Sequence, residues 1–142
     1  MILLDTNVIS EAWRLNPHPA VMAWLNAQTI QNQYICTPVI AELRYGIERL
    51  ATSSRKQYLS AAVDRLIEGY RGRVLNFDVA AAMQFGRITA TRARMGRRLE
   101  PMDAMIAAIA LGNRMALATR DTEDFLDIGL ELIDPFAIGS VP

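Results

Sequence analysis

Apolar residues open this chain: Met1, Ile2, Leu3 and Leu4 run without a polar break into Asp5. A short continuous apolar run suits a strand buried on both faces, as in a parallel sheet covered by helices. The pattern then alternates. Thr6 and Asn7 are candidate caps for a short helix from Val8 towards Arg14. Asn16-Pro17-His18-Pro19 predicts a turn, and the helix after it carries Val21, Trp24 and Leu25 on one side. Gln33 to Thr37 reads as a second strand. Thr37-Pro38 opens the next helix, with a hydroxyl at the cap and proline at the first helical position.

That third helix places Val39, Ile40, Leu43, Ile47 and Leu50 on one stripe at helical spacing. Beyond Ser53-Ser54 a fourth helix has its stripe at Leu59, Val63, Leu66, Ile67 and Tyr70. Arg73 to Phe77 predicts a third strand, and Asp78 caps a fifth helix. The stripe of that helix is small: Val79, Ala82, Met83, Gly86, Ala90 and Ala93 would admit a close neighbour. Gly96 to Glu100 is a loop, and Pro101 starts a sixth helix ending near Gly112-Asn113. Ala116 to Thr119 is a fourth strand and Leu130 to Ile133 a short fifth. Strands alternating with helices predict an α/β fold with a central, mostly parallel sheet and helices on both faces. There is no internal repeat, linker or low-complexity tract, so residues 1–142 read as one domain.

Composition narrows the setting. With 142 residues, 51% hydrophobic and 21% charged, the chain has the size and content of one domain with a proper core. No segment is long and apolar enough to cross a membrane, and Met1 leads straight into a strand, so no signal peptide is expected. The single cysteine, Cys36, rules out an internal disulfide and fits a reducing cytoplasm; its apolar context reads as core. Formal charge is zero, yet of the 15 basic residues all but Lys56 are arginine, the better residue for bidentate phosphate recognition. A zero net charge argues against a non-specific nucleic-acid coat and permits a local basic patch beside an acidic pocket.

Four acids fall where this outline gathers them. Asp5 ends the first strand and Asp121 follows the fourth, while Glu42 lies a turn into the third helix and Asp103 in the first turn of the sixth. If the strands are parallel, strand ends and helix starts share one edge of the sheet, where ligands of such folds bind. Glu42 falls roughly 110° from the centre of its apolar stripe, at the core margin, with Gly46 leaving space one turn on. Its competing reading is a surface acid near Arg49. Asp103 sits in a helix that is apolar all round from Met102 to Leu111, so its charge needs compensation, and simple capping of the helix is the alternative. Asp5 alone could be a helix cap and Asp121 ordinary turn chemistry. Convergence of all four is what distinguishes a site.

Carboxylates pressed together repel and raise one another's pKa, a cost that a hard divalent cation removes. Oxygen-only sites suit Mg²⁺ or Mn²⁺, which can position and ionise a water beside a phosphodiester. Other chemistries lack parts. His18 is the only histidine, which excludes a two-histidine ribonuclease, and its place between two prolines reads as a solvated turn. No Gly-x-Ser-x-Gly or P-loop pattern is present, and a phospho-accepting aspartate fold lacks its late lysine. Arg92, Arg94, Arg97 and Arg98 precede Asp103 and could hold RNA phosphates at its lip, or serve as a solvated face and salt-bridge partners. Trp13 and Trp24 are candidates for base stacking or for core and subunit packing.

The same residues resemble the PIN domain, and within it VapC-type toxins of the FitB-like branch. The matching pieces are Leu4-Asp5-Thr6-Asn7-Val8-Ile9-Ser10-Glu11, Ala41-Glu42-Leu43 with Gly46, and Asp103 followed by Ile106-Ala107-Ala108. Ala118-Thr119-Arg120-Asp121 with Asp124-Phe125, and Asp134-Pro135-Phe136 near the end, complete a set covering essentially the whole chain. The resemblance implies a magnesium-dependent endoribonuclease with Asp5, Glu42, Asp103 and Asp121 forming the acidic pocket. It implies Asp5 and Asp103 as the direct metal ligands, Glu42 and Asp121 acting through water, and Thr6 and Thr119 orienting their neighbours. It further implies a homodimeric toxin, blocked by a VapB-type antitoxin that carries the pair to operator DNA, and RNA ends with a 5′-phosphate and a 3′-hydroxyl. Many relatives have asparagine at the position of Asp121 and an acid at that of Asp124, so the fourth acid is either. Phe136 replaces a terminal tryptophan, a change expected to affect packing only. The alternatives are a PIN-like binding module in an antitoxin–DNA repressor complex, and a metal-dependent phosphatase of small molecules.

Overall fold

The computed structural model describes residues 1–139. Five strands, β1 (Ile2–Leu4), β2 (Gln33–Cys36), β3 (Val74–Leu75), β4 (Ala116–Ala118) and β5 (Leu132–Ile133), form one sheet in the order β3-β2-β1-β4-β5. Every pairing is parallel, with Ile2 opposite both Gln33 and Ala116 and Leu4 opposite Ala118. Parallel neighbours need a crossover between them. α1 (Thr6–Ala12), α2 (Pro19–Ala27), α3 (Thr37–Glu48), α4 (Ser54–Gly69), α5 (Val79–Arg94) and α6 (Pro101–Gly112) lie in the connections up to β4, and only the short 3₁₀ turn Thr122–Phe125 lies in the one from β4 to β5. The chain is an α/β domain, as its alternating pattern required.

β1 and β4 are buried along their whole length, so residues pointing to either face are covered. That is the reason their sequences are apolar without alternation. Leu3, Ile35 and Leu117 are completely buried at the centre, together with Ile106 to Ala110 of α6. None of the described helices is long and apolar enough to cross a membrane.

Several boundaries differ from the sequence reading for local reasons. Asp5, not Thr6 or Asn7, caps α1, because its carboxylate accepts the Thr6 amide while both later residues are already helical. Thr37 and Pro38 are likewise inside α3, and Cys36 takes the cap position without a side-chain bond. Asp78 does cap α5, accepting from Ala81, and Ser53 caps α4, accepting from Lys56. Lys56 closes the end of α3, donating to the carbonyls of Glu48 and Leu50. Leu50 and Ile67 lie outside their predicted core stripes, both exposed.

The small-residue stripe of α5 is the largest departure. Val79 and Met83 are 82% and 73% exposed, and Ala82, Gly86, Ala90 and Ala93 also face solvent. α5 packs on α6 through its other face, burying Ala81, Ile88 and Arg92. The close approach occurs there, at Gly112, where a Cβ would stand 3.3 Å from the Ala81 nitrogen.

Candidate active site

β1 delivers Asp5 to the carboxyl edge of the sheet. Its amide makes the last ladder bond, to the Ala118 carbonyl at 3.0 Å. Its Oδ1 then accepts the Thr6 amide at 2.8 Å and its Oδ2 accepts the Thr119 hydroxyl at 2.7 Å. The side chain is fixed from both ends and the residue is only 5% exposed. Burial pushes the Asp5 carboxyl from 3.8 up to about 6; bonds from Thr119 and Thr6 pull against that, while the charges of Glu42 and Asp121 add to it.

The other three acids meet it. Glu42, in the second turn of α3, accepts the Thr6 hydroxyl through Oε1 at 2.8 Å. Asp121, just beyond β4, accepts Asn7 Nδ2 through Oδ2 at 3.0 Å. Asp103 occupies the first turn of α6, where its carboxylate accepts no hydrogen bond among the described residues. Asp5, Glu42, Asp103 and Asp121, with Thr6, Asn7 and Ser10, line one cavity of about 280 Å³. Asp103 is also pushed from 3.8 to about 6, by burial first and then by the charges of Asp5, Glu42, Asp124 and Asp121. Glu42 thus faces the cavity rather than Arg49, whose guanidinium lies over Tyr45. Asp103 does not act as a cap, since Glu100 holds that position.

Asn7 is the residue sequence reasoning undervalued. Its Nδ2 reaches Asp121, the Thr119 hydroxyl at 3.2 Å and Asp5 at 3.5 Å, while its Oδ1 accepts the Arg120 amide at 3.1 Å. Thr119, fully buried, completes the lattice by accepting the Asp121 amide at 3.1 Å. One amide therefore ties the loop after β1 to the loop after β4. The signal was present in Asp5-Thr6-Asn7, but a cap was the simpler reading.

A buried support lies behind this lattice. Glu11 is 5% exposed and accepts the His18 amide at 2.8 Å, with Arg14 and Arg120 each at 3.3 Å. Burial works against its charge, and those partners outweigh it, holding the carboxyl below its ordinary range. Arg120 also lies 3.9 Å over the Phe136 ring, which meets His18 edge-on. His18 is exposed but not merely solvated: its Nδ1 accepts the Ala20 amide and caps α2. Phe136 has the packing role expected of it.

The predicted arginine group does not hold together. Arg92 is buried and donates to the carbonyls of Arg97, Asp124 and Leu126, so its guanidinium is spent on structure. Arg97 pairs with Asp127. Arg94 reaches only Thr91, and Arg94 and Arg98 remain exposed. Asp124 lies in the turn Thr122–Phe125, near enough to raise Asp103, but Asp121 and not Asp124 lines the cavity. Cys36 is buried, its thiol pushed up to about 12 by burial, which suits a core residue. Trp24 is buried in the core, whereas Trp13 is only partly so.

The donor set fits a hard divalent cation. Asp5 and Asp103 present oxygen ligands whose charge is costly without one, and Asp103 has its lone pairs uncommitted. No group of three or more His, Cys, Asp or Glu side chains among the described residues forms a ready cage. Two carboxylates with water in the remaining positions is the arrangement available, and it is the one Mg²⁺ usually adopts.

The chain is similar to known proteins along nearly its whole length. The PIN domain model matches residues 2–130. The chain is 40% identical over 137 residues to the plasmid stability protein StbB of Pseudomonas syringae pv. tomato, covering 96% of this chain and 99% of the relative. It is 36% identical to the VapC ribonuclease Y4jK of Sinorhizobium fredii, covering 96% and 98%. Among solved structures, FitAB bound to an IR36 DNA fragment superposes with a TM-score of 0.90 at 34% identity, covering 96% of each chain.

Proposed function

The chain belongs to the PIN-domain family, and from that premise we propose that it is a magnesium-dependent endoribonuclease, the toxin of a toxin–antitoxin pair. The observation carrying this reading is the meeting of Asp5, Glu42, Asp103 and Asp121 around one cavity. Asp5 and Asp103 would hold Mg²⁺ or Mn²⁺. When bound, the ion supplies positive charge that orients water and offsets the charge gathered on a cleaved phosphodiester.

The chain's own groups do the positioning. Thr119 and the Thr6 amide lock Asp5, and the Thr6 hydroxyl locks Glu42 through Oε1. Glu42 Oε2 has no partner among the described residues and accepts the proton of the attacking water. Asn7 aims Asp121 at the same space. Attack in line forms the new bond to phosphorus and breaks the one to the 3′-oxygen, which leaves and takes a proton from solvent, giving a 5′-phosphate and a 3′-hydroxyl. Relatives named as ribonucleases support RNA as the substrate.

A small antitoxin is the expected partner, since the structural neighbours are toxin–antitoxin complexes and some hold DNA. Contact with operator DNA would come through that partner in the cytoplasm. A second copy of the chain is the other proposed partner. The test is cleavage of single-stranded RNA by purified protein. Mg²⁺ or Mn²⁺ should support it, and Asp5→Asn should abolish it with the fold intact. Full cleavage by the variant, or in excess chelator, would remove the reading.

A further inference from the structure

Beside the acid cavity lies a second one of about 220 Å³, lined by Trp13, Leu43, Gly46 and Leu59 and sharing Thr6, Ser10 and Glu42 with the first. The 2.8 Å bond between Thr6 and Glu42 is the wall common to both. Trp13 in turn lines a third cavity with Arg14, Arg55 and Tyr58. There the Arg55 guanidinium lies 5.3 Å over the Tyr58 ring and donates to the Trp13 carbonyl at 2.8 Å. Arg14 holds Glu11 through Nη1 and is otherwise open, 63% exposed. Arg65 also lies over Tyr58, at 5.8 Å. Trp13 therefore stands between an apolar pocket that adjoins the acid cavity and a cavity carrying two arginines and a phenol.

That order has the repeat of a single nucleic-acid strand. A phosphodiester in the acid cavity places a neighbouring base within reach of the adjoining pocket, which offers apolar wall and an aromatic face. The next phosphate then meets the arginines. Stacking surfaces interleaved with cations are how proteins hold single strands without reading sequence. A purely apolar protein side chain would fill the middle pocket but would make no use of the exposed guanidiniums of Arg14 and Arg55 beside it.

Building on the nuclease reading above, we propose that substrate RNA runs from the acid cavity along this cleft. A base flanking the scissile phosphate seats against Trp13, and the following phosphate lies at Arg55 and Arg14. The cleft, rather than the arginines at the end of α5, then positions the strand.

Gly46 makes the proposal testable. A Cβ there meets nothing within 4 Å, so α3 accepts a side chain's first carbon without a clash, and removing a helical glycine favours the helix. Binding of single-stranded octaribonucleotides would be followed by tryptophan quenching in Ca²⁺, alongside RNA cleavage in Mg²⁺. Gly46→Leu, Gly46→Ala and Arg55→Ala would be compared with wild type, with melting curves establishing that each is folded. The expectation is quenching in wild type, a loss of affinity of about tenfold or more in Gly46→Leu, and a smaller loss in Gly46→Ala. Arg55→Ala should weaken binding and flatten its salt dependence, whereas Arg94→Ala should not. Wild-type cleavage with unchanged RNA affinity in a folded Gly46→Leu overturns the cleft and leaves the nuclease reading standing. Loss of affinity only for an antitoxin peptide also overturns it, assigning the pocket to protein. Neither binding nor cleavage by wild type overturns the nuclease reading, and the cleft with it.

Discussion

Asp103→Asn is the most revealing perturbation of the charge balance. In the metal-free protein Asp103 is raised from 3.8 to about 6, by burial and then by Asp5, Glu42, Asp124 and Asp121. A rise of that size corresponds to about 3 kcal/mol. Solvent reaching the cavity reduces it, to roughly 1–2 kcal/mol. The folded pKa lies above the unfolded one, so the penalty is absent below pH 3.8 and complete above about pH 6. Wild-type protein in chelator should therefore lose stability as pH rises through that window. Asparagine has no charge to bury and forfeits no hydrogen bond among the described residues, so the variant should lose less. At pH 7 in chelator it should melt about 3–8 °C above wild type. Added Mg²⁺ should raise the wild-type melting temperature and leave the variant nearly unmoved. Melting curves across pH 4–8, with and without Mg²⁺, measure both effects. A variant less stable than wild type at pH 7 in chelator would refute the reasoning, because repulsion among the acids would then not be the controlling term.

Two other substitutions separate support from chemistry. Thr119→Val removes the donor to Asp5 and the acceptor for the Asp121 amide, so it should cost about 1–3 kcal/mol. Losing a donor to the charged carboxylate raises its pKa, and the acid limb of kcat/KM against pH should move upward; an unmoved limb would show that Thr119 does not tune Asp5. Arg92→Met keeps the buried stem but strands three carbonyl oxygens. It should lower stability by about 2–4 kcal/mol in urea unfolding while leaving RNA affinity of the folded protein unchanged; weakened RNA binding in folded protein would restore Arg92 to the substrate path.

The acids were legible because their positions are local facts. An acid closing an apolar run, or lying in the first or second turn after a strand, is fixed relative to the sheet edge once the strands are parallel. The parallel arrangement itself followed from apolar runs alternating with helical stripes. What escaped were properties that depend on which face meets which neighbour. The α5 stripe is as apolar as a core stripe, yet Ala81, Ile88 and Arg92 on the opposite face pack against α6. Arg92 looks like its exposed neighbours in sequence, and only burial beside three carbonyls distinguishes it. Asn7 joins groups more than a hundred positions away, a bond no local pattern encodes. The pocket at Trp13 and Gly46 arises where α1, α3 and α4 meet, so it too belongs to tertiary structure.

Locating Mn²⁺ directly, by anomalous scattering from crystals of wild-type protein soaked in the ion, tests the central claim most closely. The account predicts one strong peak in the cavity at the carboxyl edge of β1, in direct contact with Asp5 and Asp103 and absent from crystals of Asp5→Asn. Manganese bound elsewhere, with that cavity empty, would contradict it.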